Sequence, residues 1–192
     1  MIKTKYYMLE CIAPEAWDDV ALVEGIAPPV GEISWRLGSR FINPPREPVV
    51  VNLHPEYGVQ IKELRNVDAL LMTRRLHEAF VEAGVSNLDT YSAIIRHPSR
   101  NFETSDYVVC NLVGIVATAN LKNLFVNGSS THGINDIDIN PIVIDDESVG
   151  ELLMFRLKEN SSAVVVHESV KAALLSKGFS MLTFVSPEEW LG

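Results

Sequence analysis

Residues 70–91 and 164–185 have the same sequence pattern and form an internal repeat, which limits the possible folds more than any other feature of the chain. Each copy opens with three consecutive apolar residues, at 70–72 and at 164–166, as is typical of a buried strand. Apolar residues then recur at three- and four-residue spacing, which predicts a helix with one apolar face. The two stretches align without a gap, so the sequence predicts two similar strand-helix-strand units.

Glycines and capping positions mark the ends of both predicted helices. Gly84 and Gly178 occupy the same place in the alignment, where a helix commonly ends in a left-handed residue that glycine adopts at little cost. Thr73 and His167 stand at the helix entries, and of the two only threonine is a good N-cap. Because only four aligned pairs are identical, a true duplication and two independent solutions to one packing problem both stay open.

The rest of the sequence indicates further strands rather than a strict alternation of strands and helices. We expect an opening strand at 3–9, one long strand at 107–118, an alternating strand at 136–140 and a strand at 152–157. Residues 128–133 have the composition of a flexible loop. This mixture predicts an α+β fold with a mixed, largely antiparallel sheet and a few helices.

The chain of 192 residues is most simply a single domain, 1–192, which at this size buries about 70% of its unfolded surface. A proline cluster at 43–48 predicts a loose boundary, because each proline removes a donor and restricts the residue before it. We expect a loose N-terminal lobe, 1–48, and a more regular lobe, 49–192, that begins with a strand.

The cysteines and the apolar runs indicate the compartment. Cys11 and Cys110 stand far apart in apolar sequence, which favours two reduced thiols over a disulfide. The apolar stretch near the start is interrupted by Glu10 before it could serve as a signal core, and no later run is long enough to span a membrane. We therefore expect a cytoplasmic protein that does not bind membranes.

Acidic residues dominate the charge of the chain, whose formal net charge is −9. This balance argues against nucleic acid as a ligand, since phosphate binding depends on clustered Lys and Arg. Between residues 123 and 155 there is no Lys or Arg, and this stretch contains six carboxylates: Asp136, Asp138, Asp145, Asp146, Glu147 and Glu151. Two interpretations stay open, a solvated acidic edge that aids solubility and a surface for a basic partner.

Two metal-site patterns involve these carboxylates, and one of them stays open. The spacing of Asp136, Asp138 and Glu147 matches a calcium loop, but Pro141 stands where that loop requires glycine. His132 with Asp136 and Asp138 is the only cluster that merits a metal test, and Glu147 could then act as a general base. A small metal-assisted hydrolase is therefore the alternative function. The leading expectation includes no catalytic residue, no metal and no cofactor, since the chain has no P-loop, dinucleotide fingerprint or nucleophile elbow.

About half of the chain has the pattern of a known family. The segments concerned are residues 106–109, 111–113, 153–157, 164–166 and 170–174, with Gly178 and Phe184. They resemble the tyrosine-led strand, the Phe-Arg strand and the closing strand, helix and strand of the eleventh immunity family of bacterial polymorphic toxin systems. His167 departs from the serine that this family usually places before the final helix.

The resemblance implies a non-enzymatic protein that takes part in interbacterial competition. Such an immunity protein would be made beside a toxin and would neutralise it by tight binding, either by occluding its active site or by blocking a required movement. The partner would be a cognate toxin domain, and a basic one would be attracted by the carboxylates. The toxin-binding residues that we expect are therefore Asp136, Asp138, Asp145, Asp146, Glu147 and Glu151.

Overall fold

The computed structural model describes residues 5–117, 127–131, 134–138, 142–144 and 146–190, with the backbone alone for 127–131, 134–138 and 146. The described elements are β1 (Tyr6–Cys11), β2 (Val49–Asn52), β3 (Leu64–Asn66), β4 (Leu70–Thr73), α1 (Arg74–Glu82), β5 (Leu88–Arg96), β6 (Glu103–Thr104), β7 (Tyr107–Leu112), β8 (Ile115–Val116), β9 (Asn127–Thr131), β10 (Ile134–Asp138), α2 (Asp146–Val149), β11 (Met154–Leu157), β12 (Val164–His167), α3 (Glu168–Ser176) and β13 (Leu182–Val185). They confirm the predicted α+β class. No helix among them is both long and apolar enough to cross a membrane.

The described strands form two main sheets and a separate hairpin. The first sheet has the order β13-β1-β12-β11-β8, and the second has the order β2-β5-β7-β4-β3, with β6 paired to β5. Neighbouring strands are antiparallel except for two pairs, β8 with β11 and β2 with β5, which are parallel. Strands β9 and β10 pair with each other as the antiparallel hairpin. The mixed, largely antiparallel pairing agrees with the sequence prediction.

Both predicted strand-helix-strand units form, and each contains an additional strand from elsewhere in the chain. In the first unit, β4 and β5 both pair antiparallel with β7, which lies between them. In the second unit, β12 and β13 both pair antiparallel with β1. Each helix packs on the first strand of its unit and on the inserted strand. The two copies therefore share a split β-α-β topology that the repeat alone did not predict.

One hydrophobic core joins the two units. Helix α1 buries Leu76 and Phe80, and α3 buries Val170 and Leu174 at the aligned positions; all four side chains are 0% exposed. They pack together with the facing sides of both sheets. Alternate residues of the central strands point the other way into further buried clusters. These strands are thus buried on both faces, which explains their uninterrupted apolar runs.

The irregular segment between β1 and β2 covers the outer face of the second sheet. Its Ile26 and Trp35 are buried against Leu71 and Val109, which lie on the central strands β4 and β7. The indole of Trp35 also donates a hydrogen bond to the carbonyl of Ala27 at 3.0 Å. The segment contains little regular structure, but it contributes three buried residues, Ala21, Ile26 and Trp35, to this cluster, and their burial fixes its position on the sheet.

The helix ends agree with the sequence except at one cap. Thr73 accepts a hydrogen bond from the backbone N–H three residues ahead at 3.2 Å. Gly84 and Gly178 have φ angles of 93° and 75°, in the left-handed region. The expectation that His167 is a poor cap was wrong, because its Nδ1 accepts the N–H of Ser169 at 3.2 Å. An unprotonated imidazole nitrogen is an acceptor and can replace a hydroxyl in this role.

The stretch predicted as one long strand, 107–118, instead contributes two strands to different sheets. Strand β7 ends at Leu112 in the second sheet, and β8 begins at Ile115 in the first. Between them Gly114 has a φ of 136° and donates to the carbonyl of Gly38 at 2.8 Å. Glycine permits this backbone conformation, and so the chain crosses from one sheet to the other at this point.

The prediction of a flexible loop at 128–133, which was made from composition, was also wrong in part. Residues 128–131 belong to β9, where their backbone pairs with β10, and residues 132–133 lie outside the described residues. Pairing with a neighbouring strand overrides the weak β-propensity of Gly and Ser. The alternating strand predicted at 136–140 is present as β10 through Asp138.

Candidate functional site

The structure describes part of the acidic stretch that the sequence singled out. Asp136 and Asp138 lie on β10, for which the backbone is described, and Asp146 begins α2. Asp145 lies outside the described residues. The acidic stretch is thus divided between a hairpin strand and a short helix that precedes β11.

Helix α2 is attached to the outer face of the first sheet by one apolar side chain. Val149 is 3% exposed and packs in a buried cluster that includes Phe155 and Trp190. Glu147, on the same helix, and Glu151, just after it, are exposed to solvent. The burial of Val149 fixes the helix on the sheet, and these two predicted residues are thereby held at the protein surface.

The alternative metal site gains no support from the described geometry. His132, its central ligand, lies outside the described residues. Among the residues that are described, no group of three His, Cys, Asp or Glu side chains is arranged to hold a metal ion. His77, on α1, has its Nε2 2.9 Å from Thr90 Oγ1 and so makes a contact between helix and sheet.

Both cysteines are free thiols, as predicted. Cys110 is 0% exposed, and burial raises the pKa of its thiol to about 12. Burial also raises the pKa of the half-buried Cys11. Because of this raised pKa, the Cys110 thiol is protonated at neutral pH. Since the thiolate is the reactive form, Cys110 is an unreactive core side chain, as the sequence predicted.

A cleft of about 220 Å³ opens where β1 and β12 separate. Strand β1 pairs with β12 over its first three residues only, whereas it remains paired with β13 as far as Cys11. Residues 8–11 form one wall of the opening and residues 162–164 form the other, while β3 and Trp190 complete the lining. This opening, the β1–β12 cleft, lies between the two sheets.

Two side chains donate hydrogen bonds to main-chain carbonyls in the walls of the β1–β12 cleft. Lys62 donates from Nζ to the carbonyl oxygen of Cys11 at 2.6 Å, and Asn66 donates from Nδ2 to the carbonyl oxygen of Ser162. These donors take the place of the main-chain partners that a continuous ladder between β1 and β12 would supply. The strands are therefore unpaired here without leaving the carbonyl oxygens of Cys11 and Ser162 without hydrogen-bond donors.

Opposite charges line the β1–β12 cleft. Lys62 contributes an ammonium group and Glu10 a carboxylate, whose Oε1 accepts a hydrogen bond from Trp190 Nε1 at 2.8 Å. Within the described residues neither charge takes part in a salt bridge. The two groups are thus oriented by hydrogen bonds without neutralising each other.

A buried arginine stands behind one wall of the cleft. Arg156 is 0% exposed, and it donates from Nη2 to Asn66 Oδ1 at 3.1 Å and from Nη1 to the carbonyl of Ser161 at 2.7 Å. Its Nε has no hydrogen-bond partner among the described residues. Burial lowers the pKa of Arg156 to about 9, and repulsion from Arg36 acts in the same direction. The guanidinium adds positive potential at the Asn66 side of the cleft.

Sequence reasoning did not find the cleft because its residues are widely scattered. Glu10 and Trp190, which are hydrogen-bonded, lie 180 positions apart. Lys62 and Asn66 belong to a short edge strand and its approach, which have no motif of their own. The cleft is marked only by the point where β1 and β12 stop pairing, and that point depends on tertiary structure and cannot be read from the sequence.

Comparison with known proteins adds no family to these observations. The chain matches no protein-family model and no curated protein sequence.

Proposed function

We propose that this chain is a non-enzymatic immunity protein, which binds a cognate bacterial toxin domain in the cytoplasm and neutralises it. The observation on which the proposal rests is the stretch of six carboxylates, 136–151, within a segment that has no Lys or Arg. Glu147 and Glu151 are exposed at this surface. The resemblance of residues 106–184 to the eleventh immunity family supplies the class of partner.

A one-sided charge favours fast capture of a basic partner. Clustered charges of one sign steer a partner of the opposite sign, and they raise association rates by about 10- to 1,000-fold at low ionic strength. A protein that must inhibit a toxin before it acts benefits from this rate more than from added contact area. We expect the acidic stretch to make the first encounter and to border the final interface.

The firm attachment of α2 is consistent with such a role. Val149 is buried against the first sheet, so the backbone of α2, which bears Glu147, is already held in place before a partner binds. Preorganised groups bind more tightly than mobile ones because less entropy is lost when the complex forms.

The direct test is co-expression of this chain with the protein encoded immediately upstream of it. We expect cells that express the upstream protein to survive only when this chain is also present, and we expect the two proteins to co-purify as a complex. Survival of cells that express the upstream protein alone, or absence of a complex, would contradict the immunity role.

A second experiment tests the surface separately from the role. The variant Asp136→Asn, Asp138→Asn, Asp145→Asn, Asp146→Asn should slow association with the toxin about tenfold or more at low salt. The matched control neutralises four exposed carboxylates elsewhere on the chain: Glu15→Gln, Asp18→Asn, Glu24→Gln and Glu56→Gln. If both variants associate equally fast with the toxin, the acidic stretch is not the steering surface. The immunity role is then tested by the co-expression experiment alone.

A further inference from the structure

We propose that His97 is a pH-sensitive switch, whose protonation releases residues 19–21 of the irregular segment between β1 and β2 from the loops that hold them. The inference does not depend on the proposed immunity role, since it concerns the fold of this chain alone. It rests on the two hydrogen bonds of a buried imidazole and on the contacts of the two loops that these bonds hold.

The imidazole of His97 is buried and uses both of its ring nitrogens. The residue is 5% exposed. Its Nδ1 accepts a hydrogen bond from the backbone N–H of Ser99 at 3.1 Å, so this nitrogen carries no proton. Its Nε2 lies 3.0 Å from the carbonyl oxygen of Tyr57 and is therefore the nitrogen that donates. The neutral ring with its proton on Nε2 is thus the form that fits this position.

The loop at 54–60 holds the irregular segment by main-chain hydrogen bonds. The N–H of Gly58 donates to the carbonyl oxygen of Val20 at 3.0 Å, and the N–H of Ala21 donates to the carbonyl oxygen of Gln60 at 2.9 Å. The imidazole bonds the carbonyl of the residue just before Gly58. It therefore fixes the part of the loop that makes these contacts.

The turn that begins at the imidazole holds the same segment by an ion pair. Arg100 donates from Nη1 to the two carboxylate oxygens of Asp19, at 2.8 and 2.9 Å. Asp19 Oδ2 also accepts the backbone N–H of Val59 at 3.2 Å. The position of Arg100 depends on the turn that the bond from Ser99 to Nδ1 closes. Both attachments of the segment therefore depend on the neutral ring.

Protonation removes the acceptor on which this arrangement depends. Imidazoles take up a proton within the physiological range of pH. A proton on Nδ1 would point at the N–H of Ser99, and two donors that face each other repel. The buried imidazolium would then have a single acceptor, the carbonyl of Tyr57, for its two N–H groups, which is costly away from water. The charged ring must turn toward solvent, and both loops then lose their attachment to it.

The charged groups near His97 act in opposite directions. The Asp19 carboxylate lies close enough to attract a charged imidazole, whereas the guanidinium of Arg100 repels one, and these two charges are paired with each other. The other titratable groups on the adjoining loop and hairpin are His54, Glu56, Tyr57, Arg96 and Glu103. Because the two nearest charges oppose each other, the hydrogen-bond geometry decides which form of the ring fits.

His54 provides a matched control because it makes the same local bond in a more open position. Its Nδ1 accepts the backbone N–H of Glu56, also two residues ahead, at 3.3 Å. His54 is only half-buried. Its ring can therefore turn to water when it is protonated without displacing the segment at 19–21.

NMR titration of the full chain between pH 8 and pH 5 tests the switch. The attachments are present while His97 is neutral and are lost as the pH falls through its titration. We expect protection of the Gly58 and Ala21 amides from hydrogen exchange, corrected for the intrinsic rate at each pH, to fall about tenfold or more in acid. The amide of Val109, in the buried strand β7, should stay protected. Unchanged protection of Gly58 and Ala21 across the titration, or a His97 ring that stays neutral down to pH 5, would overturn the proposal.

Single-residue variants then assign the effect to His97. His97→Asn keeps a side-chain acceptor for the N–H two residues ahead but cannot be protonated. In this variant we expect the Gly58 and Ala21 amides to have the same protection at pH 5 and pH 8, whereas His54→Asn should still open in acid. Acid opening of His97→Asn to the same extent as the unmodified protein would refute the assignment. Because the titration uses the unmodified protein, the proposal remains testable even if a variant does not fold.

Discussion

Adjacent leucines on α3 provide a sharp test of the common core. Leu174 is 0% exposed and packs in the core that joins both units, whereas Leu175 is 51% exposed on the same helix. Replacement of either leucine by alanine is the same chemical change with nearly the same effect on helix propensity. Any difference in stability between the two variants therefore reports burial.

The expected magnitudes follow from that burial. Removal of a fully buried leucine side chain loses its transfer free energy and leaves a cavity, so Leu174→Ala should lower the free energy of unfolding by about 3–5 kcal/mol. Leu175→Ala should change it by about 0.5 kcal/mol or less. The aligned pair on α1 repeats the experiment, because Phe80 is 0% exposed and Val81 is 53% exposed. Phe80→Ala should also cost about 3–5 kcal/mol, and Val81→Ala should be nearly neutral.

Equilibrium unfolding in urea measures these differences. Two tryptophans report on the two sheets, since Trp35 is buried on the outer face of the second sheet and Trp190 on that of the first. We expect fluorescence and far-UV circular dichroism to give one coincident transition with an unchanged slope in each variant. A difference below about 1 kcal/mol between the paired leucine variants would refute the packing argument. Two separate transitions would refute the common core.

Three further predictions concern single positions. A Cβ at Gly58 would lie 1.9 Å from a backbone carbonyl oxygen, so Gly58→Ala should lower the melting temperature markedly, in contrast to exposed alanine substitutions. The hydrogen bonds from the Ser92 hydroxyl and N–H lower the pKa of Glu47. Their contribution to stability is thus present above the ordinary pKa of a glutamate and is lost as the pH falls through the lowered value, and Ser92→Ala should raise the Glu47 pKa in an NMR titration. Native protein should expose one thiol to a disulfide reagent, Cys11, and Cys110 should react only after unfolding; equal rates for both in native protein would contradict the described burial.

Local pattern was sufficient to predict the two repeated units. The strands at residues 70 and 164, both helices and the glycines after them follow from apolar periodicity and from backbone rules that act within about ten residues. The strand after the proline cluster at 43–48 also begins where the sequence predicted, at Val49. These features depend only on neighbouring residues.

The insertions of β1 and β7 were not predictable in the same way. A split β-α-β unit and an intact one have the same sequence pattern in the strands and the helix, and the choice depends on which distant strand pairs between them. The crossing at Gly114 was missed because β-branched residues on both sides give one uninterrupted β signal. The acidic stretch was visible as composition, whereas the β1–β12 cleft exists only where a long-range pairing ends.

The position of β1 has a consequence for the order in which the protein is made and folds. All strands of the second sheet, from β2 to β7, come from one continuous stretch of chain, and Thr90 contacts Cys110 across only 20 positions. The first sheet instead needs β1 from near the start and β12 and β13 from beyond residue 163. During synthesis the second sheet can therefore close early, whereas β1 has no partner strand until β12 and then β13 emerge, and its unpaired edges are open to aggregation in that interval. We expect refolding to show a fast phase from the contiguous sheet and a slower one from the discontinuous sheet, and a chaperone that shields β1 to raise the yield of nascent protein.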